Sequence, residues 1–428
     1  MRGVYVLLLI SLLGYAGRVG GQESVTITQC YEWARANYPQ IHQMGLIDQT
    51  ERYSLSNVGK AWLPQLSVSG KASYQSDVTK LPFDGDKISS LLPGFEIPSL
   101  SKDQYQVVAQ VDQTIWDGGS ARSARALTRA EATANREQLE SELYALNDRV
   151  NQLYFGCLLQ DELIRQNALL QKELQVNIER IEAMMENGVA NQSDLESMEV
   201  ELLNARQNEI ELKASRTVYR QMLATFINKP LTDQVVLKTP ESPERSLSTQ
   251  INRPELRALD AKSEWIETQN KQVTAGLMPR IGAFVQGGYG RPGLNMLEDS
   301  FEPYYVAGVR LSWNLGKLYT LKNDRRKIEV SRRQIDVQRE TFLFNTRLQL
   351  LRQNTEIKKM TDLMRADDDI IRLRTSIKQA AEVKLENGVI SVTDLIREIN
   401  AEDMARQTAA AHRVQRLMTI YNYMYTTN

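Results

Sequence analysis

The chain is poor in the residues that build metal and redox sites. Its 428 residues include two cysteines and two histidines. Cys30, Cys157, His42 and His412 form no Cys/His cluster, so no zinc, haem or other cofactor is expected. The two cysteines can pair only if the fold brings them together. Cys157, in a helical run with Leu153 and Leu163, reads as a small buried apolar residue. Charge of one sign is also lacking: 52 basic and 53 acidic side chains are interspersed, for a net charge of −1, which gives a nucleic acid no basic field to bind. The carboxylates fall at helical solvent spacing and no Ser/His/Asp constellation accompanies them, so an enzyme is not expected. Proline is missing from two long runs, all twelve lying outside residues 104–229 and 304–428. Apolar runs are missing as well, with one exception.

That exception is the start. Arg2 is followed by the apolar stretch Val4 to Leu13 and then by Gly14, Ala16, Gly17, Gly20 and Gly21, which reads as a signal peptide over residues 1–21. It is too short to span a bilayer. A lipid anchor on Cys30 is discounted, because Gln29 precedes it and it lies beyond the expected cleavage point. The protein is expected to be exported, and any membrane span must be made of strands.

What the chain does have is a repeat. Residues 186–195 and 386–395 share six of ten positions: Glu-Asn-Gly-Val opens both copies, Asp-Leu closes both, and Ser193 answers Thr393. In each copy a charged, Leu-rich run ends at Asn-Gly, where Gly188 or Gly388 can take the left-handed C′ conformation. A second run then starts at Ser193-Asp194-Leu195 or Thr393-Asp394-Leu395, where the hydroxyl can cap and the Asp can sit at N1 on the helix dipole. Ser193 with Glu196 makes a capping-box pattern. Each turn is thus expected to be the tip of a long helical hairpin. In the first, Leu163, Leu170, Leu174, Ile178, Ile181 and Met185 recur as a coiled-coil face.

Between the helical runs the period changes to two. Leu66, Val68, Ala72 and Tyr74 alternate with polar residues, as do Tyr105, Val107, Ala109, Val111 and Ile115 after a loop containing Pro82, Pro93, Gly94 and Pro98. The second half repeats this with Ile281, Ala283, Val285 and Tyr289, then Tyr305, Ala307, Val309, Leu311 and Trp313; Phe284 and Val306 break the pattern. Trp62, Trp116 and Trp313 gather at one end of the strands, and Tyr74, Tyr105, Tyr289 and Tyr305 at the other. Aromatic belts around an apolar face suit a transmembrane barrel. A soluble sandwich also alternates, but has no need of a signal peptide with belts.

The expected organisation is therefore α+β with two repeats. The first, 22–228, has strands at about 62–76 and 104–116 and helices at about 119–187 and 193–227. The connector is 229–252. The second, 253–428, has strands at about 279–290 and 304–313 and helices at about 317–387 and 393–425. Residues 30–60 supply a further helical run. Four strands cannot close a barrel, since spanning barrels need about eight, so other copies must complete it.

At this point the chain resembles a known family, the TolC-like outer membrane efflux proteins. The resemblance rests on Tyr38-Pro39, Trp62-Leu63-Pro64-Gln65-Leu66, Trp116-Asp117-Gly118-Gly119 and the paired tips at Gly188/Asp194 and Gly388/Asp394, in that order. It implies a homotrimer in the outer membrane of a Gram-negative bacterium. Its twelve-stranded barrel would sit in outer membrane lipid and continue as an α-helical tunnel into the periplasm. It further implies an exit duct for tripartite efflux or type I secretion, working with an inner membrane transporter and docking on a periplasmic adaptor. The docking tips would be Gly188, Val189, Ser193, Asp194 and Leu195 with Gly388, Val389, Thr393, Asp394 and Leu395, and the pore constriction Asp394 with Arg397. Where the best-known member carries an aromatic, an arginine and a second aspartate to latch the channel, this chain has Leu385, Ile390 and Arg397. The contrasting expectation is a secreted coiled-coil scaffold or adhesin, which would have no use for belted strands.

Overall fold

In the computed structural model, residues 24–79, 101–242, 250–296 and 298–428 are described. The expected signal peptide, the loop with Pro82, Pro93, Gly94 and Pro98, and residues 243–249 of the connector lie outside them. In chain order the elements are β1 (Ser24–Val25), α1 (Ile27–Asn37), a 3-10 turn (Pro39–Ile41), α2 (His42–Lys60), β2 (Gln65–Tyr74), β3 (Asp103–Trp116), α3 (Ser120–Tyr144), α4 (Leu146–Glu186), α5 (Gln192–Ile227), β4 (Val236–Leu237), α6 (Pro254–Ala275), β5 (Arg280–Arg291), β6 (Glu302–Ser312), α7 (Lys317–Glu386) and α8 (Val392–Thr427). No helix among the described residues is long and apolar enough to cross a membrane.

Two features depart from the sequence expectation. The run 119–187 is not one helix: α3 and α4 are separated at Ala145. No proline or glycine marks the break. It falls where Leu143 and Leu146 are both buried and the Tyr144 ring stacks on Tyr425 at 5.0 Å while its hydroxyl donates to the Tyr425 carbonyl. The compact units also differ from the two repeats. One unit contains the described residues up to Gln43 with Gln138–Arg257 and Glu340–Asn428, and the other contains Met44–Glu137 with Ala258–Arg339, so each draws on both halves of the chain.

The first unit is helical with two apolar centres. In one, Val25, Ile27, Cys30 and Ala34 meet Val150, Tyr154, Phe155, Leu223 and Leu237, and β1 pairs in parallel with β4. The Tyr154 hydroxyl lies 2.8 Å from the Val25 carbonyl and 2.7 Å from that of Lys238, tying the two short strands to α4. Cys30 and Cys157 are both unbonded and buried here, and burial pushes both thiols up to about 12. In the other centre Leu174, Ile178 and Ile181 of α4 and Met198 and Leu202 of α5 pack with Leu385, Leu395, Ile396 and Ile399 of α7 and α8. Each such side chain contributes roughly 1.5–3 kcal/mol by leaving water.

The second unit is built on an antiparallel sheet of order β2-β3-β5-β6. Its register sets Leu66, Val111, Val285 and Ala307 in one row and Val68, Ala109, Gly287 and Tyr305 in the next. These rows form one apolar face, and it is bare: Leu66 is 70% exposed and Val309 69%. The opposite face carries Gln65, Asp112, Ser67, Gln110 and Gln286. Phe284, which breaks the alternation, lies on this polar face beneath the Arg310 guanidinium, 4.8 Å from its ring centre, and Arg310 in turn stands 3.7 Å from Asp112. Among the described residues β2 and β6 are the edges of this sheet, each with one row of backbone groups outside its ladder.

The Trp116-Asp117-Gly118-Gly119 segment is the hinge from β3 into α3. Asp117 accepts from the Gly119 and Ala121 amides at 2.8 and 2.5 Å. Gly118 and Gly119 have φ of +69° and +84°. A Cβ on Gly118 would also stand 2.6 Å from that of Met278, just ahead of β5.

Candidate functional site

The two hairpin tips are built on the same backbone pattern. α4 ends at Asn187 and α7 at Asn387, and Gly188 and Gly388 follow with φ of +73° and +67°. The Gly188 amide donates to Met185 and the Val189 amide to Met184; Gly388 donates to Leu385 and Val389 to Lys384. This 5→2 and 6→1 pairing is the Schellman motif, which gives the last helical carbonyls partners and needs a residue comfortable at positive φ. Asn187 and Asn387 each add a side-chain bond to the carbonyl four residues back, at 2.7 Å.

The start of the return helices lies two residues earlier than the sequence reading put it. The caps are Asn191 and Ser391, not Ser193 and Thr393, and Asp194 and Asp394 sit at N3, not N1. Each Asp amide donates to the cap side chain, at 3.1 Å to Asn191 and 3.2 Å to Ser391. Each Asp carboxylate accepts from the cap amide, at 3.1 and 3.2 Å. At the first tip Ser193 with Glu196 offers an overlapping box; at the second, a helix beginning at Val392 puts Val392, Leu395, Ile396 and Ile399 on one buried face.

The tip residues divide by exposure. Val189 and Val389 point outward, 57% and 69% exposed, whereas Leu395 is fully buried and Leu195 packs on the same apolar centre. Leu395 shapes the tip from within, and Leu195 is partly buried against the same centre. Leu385 and Ile390 are likewise part of that centre, so apolar packing occupies those positions. Asp394 and Arg397 approach to 3.5 Å, and Arg397 also lies 3.3 Å from Glu398. Hydrogen bonds from Ser391, with the Arg397 charge behind them, hold the Asp394 carboxyl below the usual carboxylate range.

Above the second tip lies a charged cluster that the sequence reading took for a solvated face. Glu402, buried on α8, accepts from Thr375 at 2.6 Å and from Arg406 Nε at 2.9 Å, and Lys378 of α7 lies 2.7 Å away while also pairing with Glu173 of α4. Burial opposes charge on both Glu402 and Lys378, but the hydrogen bonds outweigh it, lowering the carboxyl and raising the ammonium. Asp403 accepts only from Gln407, at 2.6 Å, and there burial wins, pushing it up to about 6. Further along, α7 and α8 are bridged by Asp367–His412 at 2.7 Å, Thr361–Arg416 at 3.0 Å and Gln353–Thr426 at 3.1 Å. Only the i,i+4 spacing of Glu402 and Arg406 is a sequence signal for any of this. Among the described residues no His/Cys/Asp/Glu group has the arrangement of a metal site.

Residues 30–229 match the family model for outer membrane efflux proteins. No curated protein matches the chain by sequence. Among solved structures, CusC, known for conformational changes accompanying folding and transmembrane channel formation, aligns with a TM-score of 0.66 at 14% identity, over 94% of this chain and 92% of its own. The open state of the Neisseria gonorrhoeae MtrE outer membrane channel gives 0.65 at 14% identity, over 94% and 88%. The outer membrane protein VceC of Vibrio cholerae gives 0.62 at 12% identity, over 93% and 95%. At these identities the likeness speaks for the fold.

Proposed function

Because its first repeat matches the outer membrane efflux family and its fold is that of TolC-like channels, we propose that this chain is a passive exit duct of a tripartite efflux or type I secretion system. It would stand in the outer membrane of a Gram-negative bacterium. The observation that carries this reading is the sheet: four strands with a bare apolar face, aromatic residues at both ends and two unpaired edges. Neither water nor lipid suits that arrangement in a lone copy, because the face needs lipid and lipid leaves edge groups without partners.

A homotrimer answers both demands. With four strands per copy, β6 of one copy and β2 of the next run in opposite directions, so a twelve-stranded ring stays antiparallel at every seam. It closes by one repeated head-to-tail contact. The long helices would continue this barrel as a tunnel into the periplasm. Gly188, Val189, Ser193 and Asp194 with Gly388, Val389, Thr393 and Asp394 would present the tips to a periplasmic adaptor and, through it, an inner membrane transporter. Asp394 and Arg397 would line the constriction.

Fractionation tests the first part. The protein is expected in the outer membrane, with the mass of three copies in mild detergent; a soluble monomer would refute the barrel. Val189→Asp with Val389→Asp tests the second, since it alters only the outward side chains of the tips. Export is expected to fall while the trimer persists, and undiminished export would show that the tips are connectors.

A further inference from the structure

In the helical unit, away from the tips, α4, α5, α7, α8 and β4 line a half-open cavity of about 640 Å³. That is within the range of small-molecule sites, roughly 300–1,000 Å³. Leu158, Val235, Leu237 and Leu417 give it an apolar wall, and the first three of these are buried. Around the wall stand five arginines against three carboxylates.

The arginines are not equivalent. Arg165 pairs with Glu162 at 2.5 Å, and Arg216 with Asp161 at 2.6 Å and Asp233 at 3.1 Å. Arg220 is buried and donates to the Thr232 and Val235 carbonyls. Arg413 and Arg416 remain. Arg413 Nε reaches the Ala409 carbonyl of its own helix at 3.4 Å, and Arg416 Nε reaches the Thr361 hydroxyl at 3.0 Å. Neither forms an ion pair with a carboxylate among the described residues. They stand at i and i+3 on α8, spaced to act on one group, and each guanidinium keeps terminal N–H donors to offer. Glu162 is engaged by Arg165: burial works against its charge, but hydrogen bonds from Arg165 and Gln166 and the charges of Arg165 and Arg413 hold its carboxyl low, so it offsets part of the Arg413 charge without pairing with it.

We propose that this cavity binds an anionic amphiphile, with a carboxylate head held by Arg413 and Arg416 and a short alkyl body on Leu158, Val235, Leu237 and Leu417. A guanidinium pair matches a carboxylate by charge and by fork geometry. The apolar wall supplies the non-directional part of the affinity. The proposal does not depend on the conduction path proposed above.

The test uses the full-length protein in lipid nanodiscs with octanoate as probe, empty nanodiscs being subtracted, by titration calorimetry. Saturable binding of one octanoate per copy is expected, with acetate and octylammonium each binding at least about tenfold more weakly. Arg413→Gln with Arg416→Gln should weaken octanoate by about tenfold or more, with helix content and assembled mass unchanged. Equal binding of octylammonium would overturn the role of the arginines. Equal binding of acetate would overturn that of the wall. Absence of saturable binding in the unaltered protein would overturn the site altogether, including the case in which a neighbouring copy fills it. None of these outcomes bears on export, which is measured separately. Should the double variant misfold, the ligand comparison on the unaltered protein still decides.

Discussion

Lys378 of α7 and Glu402 of α8 stand 2.7 Å apart, the carboxylate side chain only 3% exposed. Removing one member of a buried pair strands the other, at a cost of about 3–5 kcal/mol. Glu402→Gln is therefore expected to lower the melting temperature of the helical signal by several degrees. Lys378→Met combined with Glu402→Leu should recover most of the loss, because well-packed apolar groups avoid the desolvation of both charges. The Glu402 carboxyl is lowered in the fold, so its stabilising contribution is complete above the ordinary glutamate value. It is lost as pH falls through the folded one. An acid melt that ends at the same pH with and without Glu402 would contradict this.

Asp403, the next residue, carries the opposite sign. Burial raises it to about 6, so its charge opposes folding above pH 6. That penalty disappears as pH falls from about 6 toward the ordinary aspartate value of about 3.9. Asp403→Asn should stabilise the protein at pH 7.5 by about 1 kcal/mol once solvent screening is allowed for. The gain should vanish by pH 4. Thermal melts at the two pH values check it, and a loss at pH 7.5 would refute it.

The caps can be told apart by alanine. Asn191→Ala and Ser391→Ala each remove an acceptor that a helix amide uses, so each should cost about 1 kcal/mol. Ser193→Ala and Thr393→Ala lie beyond the caps and should be nearly silent. A larger effect at Ser193 than at Asn191 would restore the register that the sequence alone suggests.

These cases show what was legible before the fold was known. The Asn-Gly stops are local: a left-handed glycine and a Schellman pair need nothing beyond the helix they end. Strand alternation is local too, and Leu66, Val68, Val285 and Val309 sit on one face as their spacing requires. The choice of Ser391 over Thr393, by contrast, goes with the burial of Val392, Leu395 and Ile399, which a capping pattern alone does not reveal. The break at Ala145 has no proline or glycine to announce it. Lys378, Glu173 and Glu402 meet only because three helices from both repeats lie side by side, and as strings they look like any solvated face.

Gly118 and Gly119 separate conformation from contact. Both have positive φ, so alanine is disfavoured at each, by about 1–2 kcal/mol. At Gly118 the added Cβ also collides with Met278, whereas at Gly119 nothing lies within 4 Å. Gly118→Ala should therefore destabilise the protein clearly more than Gly119→Ala and reduce the yield of assembled protein. Equal effects would mean that the hinge relaxes away from Met278.

Asp394 tests the conduction path. One of its oxygens is committed to the cap, within 3.2 Å of the Ser391 amide and 2.8 Å of the hydroxyl, while the other faces Arg397 at 3.5 Å. A ring of carboxylates at a narrow place favours cations, but an arginine one turn on, 71% exposed at its side chain, returns positive charge to the same helix face. If the tips line the constriction, Arg397→Asp should raise the cation-to-anion permeability ratio in planar bilayers, and Asp394→Asn should lower it. Arg397→Asp is the cleaner of the two, because Arg397 makes no cap bond, whereas Asp394→Asn also replaces a cap acceptor and must first be shown to assemble. Two variants that assemble normally and leave the reversal potential in a salt gradient unmoved would place Asp394 and Arg397 off the lumen, with capping as the whole of the aspartate's role.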